Sequence, residues 1–241
     1  MVPCTNCPLR RREYFIAMTD DEVEFMLKFK IGELTVEPGT TILMEGSNSP
    51  QLFTVLSGMG TRYKTLEEGN RQVINFLLPG DFTGMQAGIM GEMKHSVEAT
   101  THMVLCVFSR SDIWNMFKTQ PGRAYDLTWI AAVEEHFLGE TIATLGQRDA
   151  GQRIAWAFLH IHHRLRAVGL EKAGTVPLPF RQHDLADALG LSLVHTNKTI
   201  AKLRDVGLAQ WSDGKPFIAD RTALAAHAGA APEPLEKRPL M

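Results

Sequence analysis

The spacing of apolar and polar positions changes three times along the chain. Thr19-Asp20-Asp21-Glu22 is a capping-box pattern, with Thr19 as N-cap and Glu22 at N3, and it predicts a short helix through about Lys28. From Gly32 to about Arg110 the texture becomes short β-type runs: ELTV, TTILME, LFTVLSG, QVINFLL, SVEAT and MVLCVF. Turn residues fall between them at Pro38-Gly39, Gly46, Gly58, Gly60, Gly69 and Pro79-Gly80, and strands so spaced predict a sandwich or barrel. The texture changes again near Ser111. Residues 122–146 hold no proline, and Leu127, Ile130, Ala131, Phe137, Leu138, Ile142 and Leu145 recur at spacings of three, four and seven, interrupted by Glu134. That is one face of a long helix. Such a face either packs on its own β domain or forms a dimer seam, for which Leu127, Ile130, Ala131, Leu138 and Leu145 are the candidates. Residues 150–168 predict a further helix closing near Gly169. The final stretch, AAHAGAAPEPLEKRPLM, is rich in Ala and Pro and reads as a frayed tail.

The most specific pattern lies at 181–204. Leu185 and Leu189 give a short helix its apolar side, and Ala186 is small where a second helix would cross it. Gly190 takes a left-handed turn without steric cost. Ser192 then caps a second helix with Thr196, Ile200 and Leu203 facing inward. Its exposed side carries Leu193, Val194, His195, Asn197, Lys198 and Lys202. A helix of this kind fits the major groove with its N-terminal residues at base edges. Arg181 and Gln182, which open the first helix, join the candidate DNA-binding set. Gly207-Leu208 and the turn Trp211-Ser212-Asp213-Gly214-Lys215, followed by Pro216-Phe217-Ile218, predict a wing hairpin.

Charge changes the picture only when it is divided. The net charge is −2, yet residues 151–221 hold ten Lys/Arg against six Asp/Glu, an excess of four positive charges that leaves the remainder at −6. Phosphate contacts need local positive charge, and an acidic remainder does not prevent them. No apolar run reaches membrane-spanning length, and the first residues lack a signal-peptide pattern, which predicts a cytoplasmic protein. Three cysteines, Cys4, Cys7 and Cys106, do not make a disulfide framework; ligand, redox sensor and plain core residue stay open. His160, His162 and His163 cluster on one helix without a second ligand set, which predicts solvated or DNA-facing histidines. No nucleophile elbow, phosphate-binding glycine loop or zinc-hydrolase His-Glu pair is present, so no enzyme is expected.

From these motifs the chain resembles the Crp/Fnr superfamily of bacterial regulators. The β-roll signature is carried by Pro38-Gly39-Thr40-Thr41-Ile42-Leu43-Met44-Glu45-Gly46, then Leu56-Ser57-Gly58, then Leu78-Pro79-Gly80-Asp81-Phe82-Thr83-Gly84. The resemblance implies an α+β fold: a cyclic-nucleotide-binding-type β-roll, a long dimerisation helix and a C-terminal winged helix-turn-helix. The expected divisions are an arm at 1–18, a sensory roll at 19–121, a dimerisation helix at 122–146, a DNA-binding domain at 147–225 and a flexible tail at 226–241. The implied partners are a second copy of the chain, a roughly palindromic double-stranded operator and RNA polymerase. The contrasting reading is a signalling subunit, cofactor-free or responsive to a small molecule, whose C-terminal domain contacts protein.

Two departures from the family pattern matter. Members that bind cyclic nucleotide carry an Arg-Ser pair where this chain has His95-Ser96, so the bidentate guanidinium for the phosphate is missing and no cyclic-AMP dependence is expected. Many relatives also read DNA with Arg and Glu just after the capping Ser; here those positions are Leu193 and Val194. In the oxygen-sensing branch an N-terminal cysteine run and one distant Cys hold an iron–sulfur cluster. Cys4, Cys7 and Cys106 match three of the four positions, and the fourth falls on Glu13. The resemblance thus implies a [4Fe-4S] cluster completed by Glu13 or a [3Fe-4S] cluster on three thiolates. A dithiol switch at Cys4/Cys7, a buried Cys106 and a remnant without metal remain the alternatives.

Overall fold

Capping chemistry begins the first helix where the sequence places it. Thr19 Oγ1 accepts from the Glu22 amide at 3.3 Å, the Glu22 carboxylate accepts from the Thr19 amide at 2.8 Å, and α1 runs Asp20–Phe29. The computed structural model of the chain describes residues 1–172, 174–212, 214–231 and 236–241. These form two compact units: residues 1–70, 74–134 and 236–241 in the first, and residues 71–73 with the described part of 135–235 in the second.

The first unit is a β-roll of two four-stranded sheets. One has the order β1 (Lys30–Val36), β8 (Met103–Ser109), β3 (Gln51–Ser57), β6 (Phe82–Thr83), and the other β2 (Thr41–Leu43), β7 (Ser96–Ala99), β4 (Gly60–Thr65), β5 (Arg71–Leu77). Between them lies a core that includes Leu43, Phe53, Val55, Leu77, Met93, Val97, Met103, Leu105 and Val107. Alternate positions of each strand point to the inner face, which the apolar runs of the sequence anticipate. Two strands were not anticipated. β4 reads as polar (GTRYKT), yet Arg62 in it is buried, and β6 is only two residues long. Two short helices, α2 (Met85–Met90) and α3 (Ile113–Thr119), were likewise not anticipated. Gly58 shows why the roll signature needs glycine: its φ is +85°, and a Cβ there would lie 2.3 Å from the His102 carbonyl oxygen.

The long helix α4 spans Pro121–Gln147, one residue beyond the expected 122–146 at each end. It counts with the first unit to Glu134 and with the second from Glu135. Its expected seam divides. Leu127 and Ile130 are buried within the first unit, 1% and 4% exposed, which takes both out of a seam. Leu138 is 40% exposed and Ile142 71%, while Ala131 and Leu145 are half-buried.

In the second unit α5 (Ala150–Ala167) starts from a capping box of Asp149 and Gln152 and packs on α7 (Leu193–Asp205) and α8 (Arg221–Ala228). α6 (Gln182–Leu189) precedes α7, and β9 (Ala209–Ser212) pairs antiparallel with β10 (Lys215–Ile218) as the expected wing; Asp213 of its turn lies outside the described residues. The expected flexible tail needs correction where it is described. Residues through Ala228 are helical, and Gly229 caps them at φ +61°. Leu240 and Met241 are each only 3% exposed and belong to the first unit. Pro232, Glu233, Pro234 and Leu235, also assigned to that tail, lie outside the described residues.

Candidate nucleic-acid interface and thiol pocket

The turn between α6 and α7 fixes which face of α7 is free. Gly190 adopts φ +62° as the C-cap of α6, and its amide donates to the Ala186 carbonyl. Ser192 Oγ then accepts from the His195 amide at 3.2 Å and starts α7. Thr196, Thr199, Ile200 and Leu203 are buried on one side, and the Thr199 hydroxyl donates to the His195 carbonyl at 2.9 Å. The opposite side exposes Ser192, Leu193, Val194, His195, Asn197, Lys198 and Lys202, with Leu193 41% and Val194 63% accessible. Exposed apolar side chains beside His, Asn and Lys are what contact with thymine methyls and base edges requires.

The two residues placed at the start of α6 differ from that pattern. Gln182 is half-buried. Arg181 is exposed, but its Nη2 and Nε hold the Asp184 carboxylate at 3.0 and 3.2 Å, and its amide donates to the same group at 2.9 Å. Burial alone would raise the Asp184 pKa; the Arg181 hydrogen bonds and charge hold it below the usual carboxylate range. Arg181 is therefore first a brace for the α6 N-terminus. The expectation for the histidine cluster on α5 is corrected for two of its three members, while His163 is half-buried. The His162 side chain is 3% exposed with Nε2 3.6 Å from Glu171, and His160 stacks on Phe137 at 4.7 Å and Trp156 at 5.7 Å.

In the roll, the Ser96 hydroxyl accepts from the Glu45 amide at 3.0 Å. His95 beside it is half-buried, and its Nε2 has no hydrogen-bond partner among the described residues. Burial and the Arg62 charge push its pKa down to about 4, although Glu134 and Glu45 pull the other way. Arg62 itself is committed: its Nη1 meets Glu134 on α4 at 2.8 Å and its Nη2 donates to the Phe82 carbonyl at 2.8 Å.

The three cysteines converge, as no local pattern could show. Cys4 lies in a 3-10 turn (Cys4–Asn6), Cys7 follows it, and Cys106 lies on β8 with Glu33 and Thr54 as its cross-strand partners. All three line one void of about 30 Å³ with Met26, Phe108, Leu240 and Met241. Lys30, its side chain 4% exposed, anchors the arm: its ammonium donates to Glu33 at 2.6 Å and to the Val2 carbonyl at 2.7 Å. Burial raises the Cys4 and Cys106 pKa values, the latter to about 11, against the pull of the Lys30 charge. Both are therefore thiols at neutral pH. Glu13 is exposed and does not line the pocket, which removes it from the expected ligand set. Among the described residues no three His, Cys, Asp or Glu are set to hold a metal ion. The void takes no more than about two waters. The donors suit iron, but Leu240 and Met241 occupy the space a cluster would need.

Two parts of the chain match families of known proteins. Residues 33–120 match the family model of the cyclic nucleotide-binding domain, and residues 152–227 that of the Crp-like helix-turn-helix domain. The chain is 29% identical over 229 residues to the nitrogen fixation regulation protein FixK of Bradyrhizobium diazoefficiens, covering 94% of each chain. It is 27% identical to the transcriptional activator protein FnrL of Cereibacter sphaeroides, covering 85% of this chain and 83% of FnrL. The solved structure of FixK2 from Bradyrhizobium japonicum superposes with a TM-score of 0.76 at 25% identity, covering 83% of this chain and 98% of FixK2. No helix among the described residues is long and apolar enough to cross a membrane.

His95 yields a signed pH dependence. Its folded pKa of about 4 lies below the ordinary 6.5, so as pH falls the unfolded chain binds the proton first. The stabilisation is complete above pH 6.5 and is lost as pH falls toward 4, on the order of 2–3 kcal/mol for a shift of this size. Urea unfolding of His95→Gln should therefore show a flatter stability profile between pH 7 and 4.5 than the parent chain; two parallel profiles would contradict the assignment.

Proposed function

Because the chain belongs to the Crp/Fnr superfamily of DNA-binding transcription regulators, which are not enzymes, we propose that it acts as a homodimer on a roughly palindromic operator. In this reading α7 lies in the major groove, and the bound dimer contacts RNA polymerase. The observation that carries it is the free side of α7, where Leu193, Val194, His195, Asn197, Lys198 and Lys202 stand opposite a buried Thr196, Ile200 and Leu203. Lys198 and Lys202 supply phosphate or guanine contacts, and Asn197 suits adenine. Leu193 and Val194 replace polar readers, which points to a half-site of its own. A C-terminal domain built instead to contact protein is disfavoured by the positive excess over 151–221.

The dimer seam is assigned to the exposed stripe of α4, with Leu138, Ile142 and Leu145 at its centre and Ala131 beside it. Cyclic AMP is not the signal in this reading. A neutral His95 offers no charge to a cyclic phosphate, and Ser96 is already an acceptor for Glu45. The sensor is assigned to the thiol pocket, where Cys4, Cys7 and Cys106 are the residues that would hold an iron–sulfur cluster once Leu240 and Met241 leave the space it needs. A bound cluster would supply oxygen-sensitive iron–thiolate chemistry. What the chain's own residues do is set the arm on β1 through Lys30 and Glu33, bury Cys106 and half-bury Cys4 and Cys7. The cytoplasm, where free thiols persist, is the matching compartment.

Lys198→Ala and His195→Ala should each weaken operator binding by about 1–3 kcal/mol, read by fluorescence anisotropy at fixed salt. Unchanged affinity in both would remove α7 from the groove. Leu138→Glu should make the chain monomeric at micromolar concentration in sedimentation, because a buried unpaired carboxylate in the seam is costly; a dimer that still binds a palindrome would move the seam elsewhere. Protein purified and reconstituted without oxygen should be brown and carry iron and acid-labile sulfide, and Cys106→Ser should lose both. A colourless parent chain after reconstitution would end the cluster reading and leave DNA binding untouched.

A further inference from the structure

The last six residues do not belong to the unit that holds α8. Glu236–Met241 are part of the first unit, where they fill a groove as a peptide ligand would. The Arg238 amide donates to the Tyr14 carbonyl at 3.0 Å, and the Ile16 amide donates to the Arg238 carbonyl at 2.9 Å, a parallel bridge opposite Phe15. The Arg238 guanidinium meets the Asp81 carboxylate at 3.0 Å, with side chains 10% and 4% exposed. Further along, Thr54 Oγ1 donates to the Met241 main-chain oxygen at 2.6 Å, and Arg123 donates to the Leu240 carbonyl and lies 3.2 Å from Met241 Sδ. Main-chain pairing with a strand-like edge, one buried charge pair and two apolar anchors make up a known mode of peptide recognition.

The groove keeps partners of its own. Asp81 Oδ2 accepts from the Leu78 amide at 2.8 Å, and Arg123 Nη1 holds Asp126 at 2.6 Å. Vacating the groove therefore leaves neither charge alone, so release costs less than breaking an isolated buried pair. The occupant's apolar end lies on the three cysteines, in the space that anything bound to them would need.

We propose that this groove is a site for an Arg-Pro-Leu-Met peptide and that 236–241 is its exchangeable ligand, a strap whose docking excludes reaction or metal loading at Cys4, Cys7 and Cys106. The strap does not depend on iron: it shields the thiols whether or not a cluster is ever loaded, so its test uses none. Thiolates are the reactive form; with the strap docked Cys106 is buried and Cys4 and Cys7 are half-buried, which slows their reaction.

Modification by a disulfide dye, followed by absorbance without metal, reads the strap directly. The chain ended after residue 235 and the full chain with Arg238→Gln should both react at least tenfold faster than the parent. Adding the synthetic peptide Glu-Lys-Arg-Pro-Leu-Met at millimolar concentration to the shortened chain should restore the slow rate, and the same peptide with Gln for Arg should not. Parent-like rates in a folded shortened chain, or a peptide without effect on it, would overturn the proposal. If the shortened chain does not fold, Arg238→Gln decides alone, and an unchanged rate there overturns it. A colourless protein in the iron experiment leaves this outcome unaffected, so the two readings fail separately.

Discussion

Burying a cation demands an oxygen to meet it, and in the first unit that demand is made four times among the described residues. Lys30, Arg62, Arg123 and Arg238 are each at least nine-tenths buried. An unpaired charge in such surroundings costs several kcal/mol. Each is therefore fixed to a partner on another part of the chain. Lys30 reaches the arm at Val2, Arg62 reaches Glu134 on α4, Arg123 reaches the carbonyl of Leu240, and Arg238 reaches Asp81 in the roll. The apolar core closes the roll; these four pairs decide what is fastened to its outside. The arm and the long helix hold their places because the alternatives leave a charge dry and unanswered; the last segment is held less firmly, since Asp81 and Arg123 keep Leu78 and Asp126 as partners without it.

What was legible in the sequence follows the range of the interactions. The α6–α7 turn could be read residue by residue because each part acts within a few positions: Gly190 for its left-handed φ, Ser192 for its cap, Thr196, Ile200 and Leu203 for their spacing. The roll strands were legible wherever apolar runs mark them. β4 escaped because its central buried residue is Arg62, whose partner Glu134 is 72 positions away. Periodicity identified an apolar face on α4 but not what covers it, so Leu127 and Ile130 were grouped with Leu138 although the first two close their own roll. Glu13 was offered by the resemblance to the oxygen-sensing branch, and matching a cysteine pattern does not say which way an arm folds. The last segment was the least legible: its Ala and Pro predict fraying, while Arg238 and Asp81 stand 157 positions apart. His160 and His162 of α5 show the converse, polar residues whose neighbours in space are Phe137, Trp156 and Glu171.

A sensor in this architecture needs an element that two events can bias, and α4 has the attachments for it. Near its first turn Arg123 holds both Asp126 and the Leu240 carbonyl, so the occupant of the thiol pocket and the start of the helix share one guanidinium. Three turns later Glu134 accepts from Arg62, which faces the same pocket region as His95. If the last segment leaves, Arg123 loses one acceptor and keeps another; the helix is then held more loosely at its start but is not cut free. A fastening that weakens without failing is what a switch requires, since a change of a few kcal/mol suffices to move a two-state balance. The same helix carries the exposed Leu138 and Ile142 beyond Glu134. In the proposed function, a signal at the thiols and the pairing of two chains act on one continuous element, whose thiol end is tied to the roll through Arg123 and Arg62.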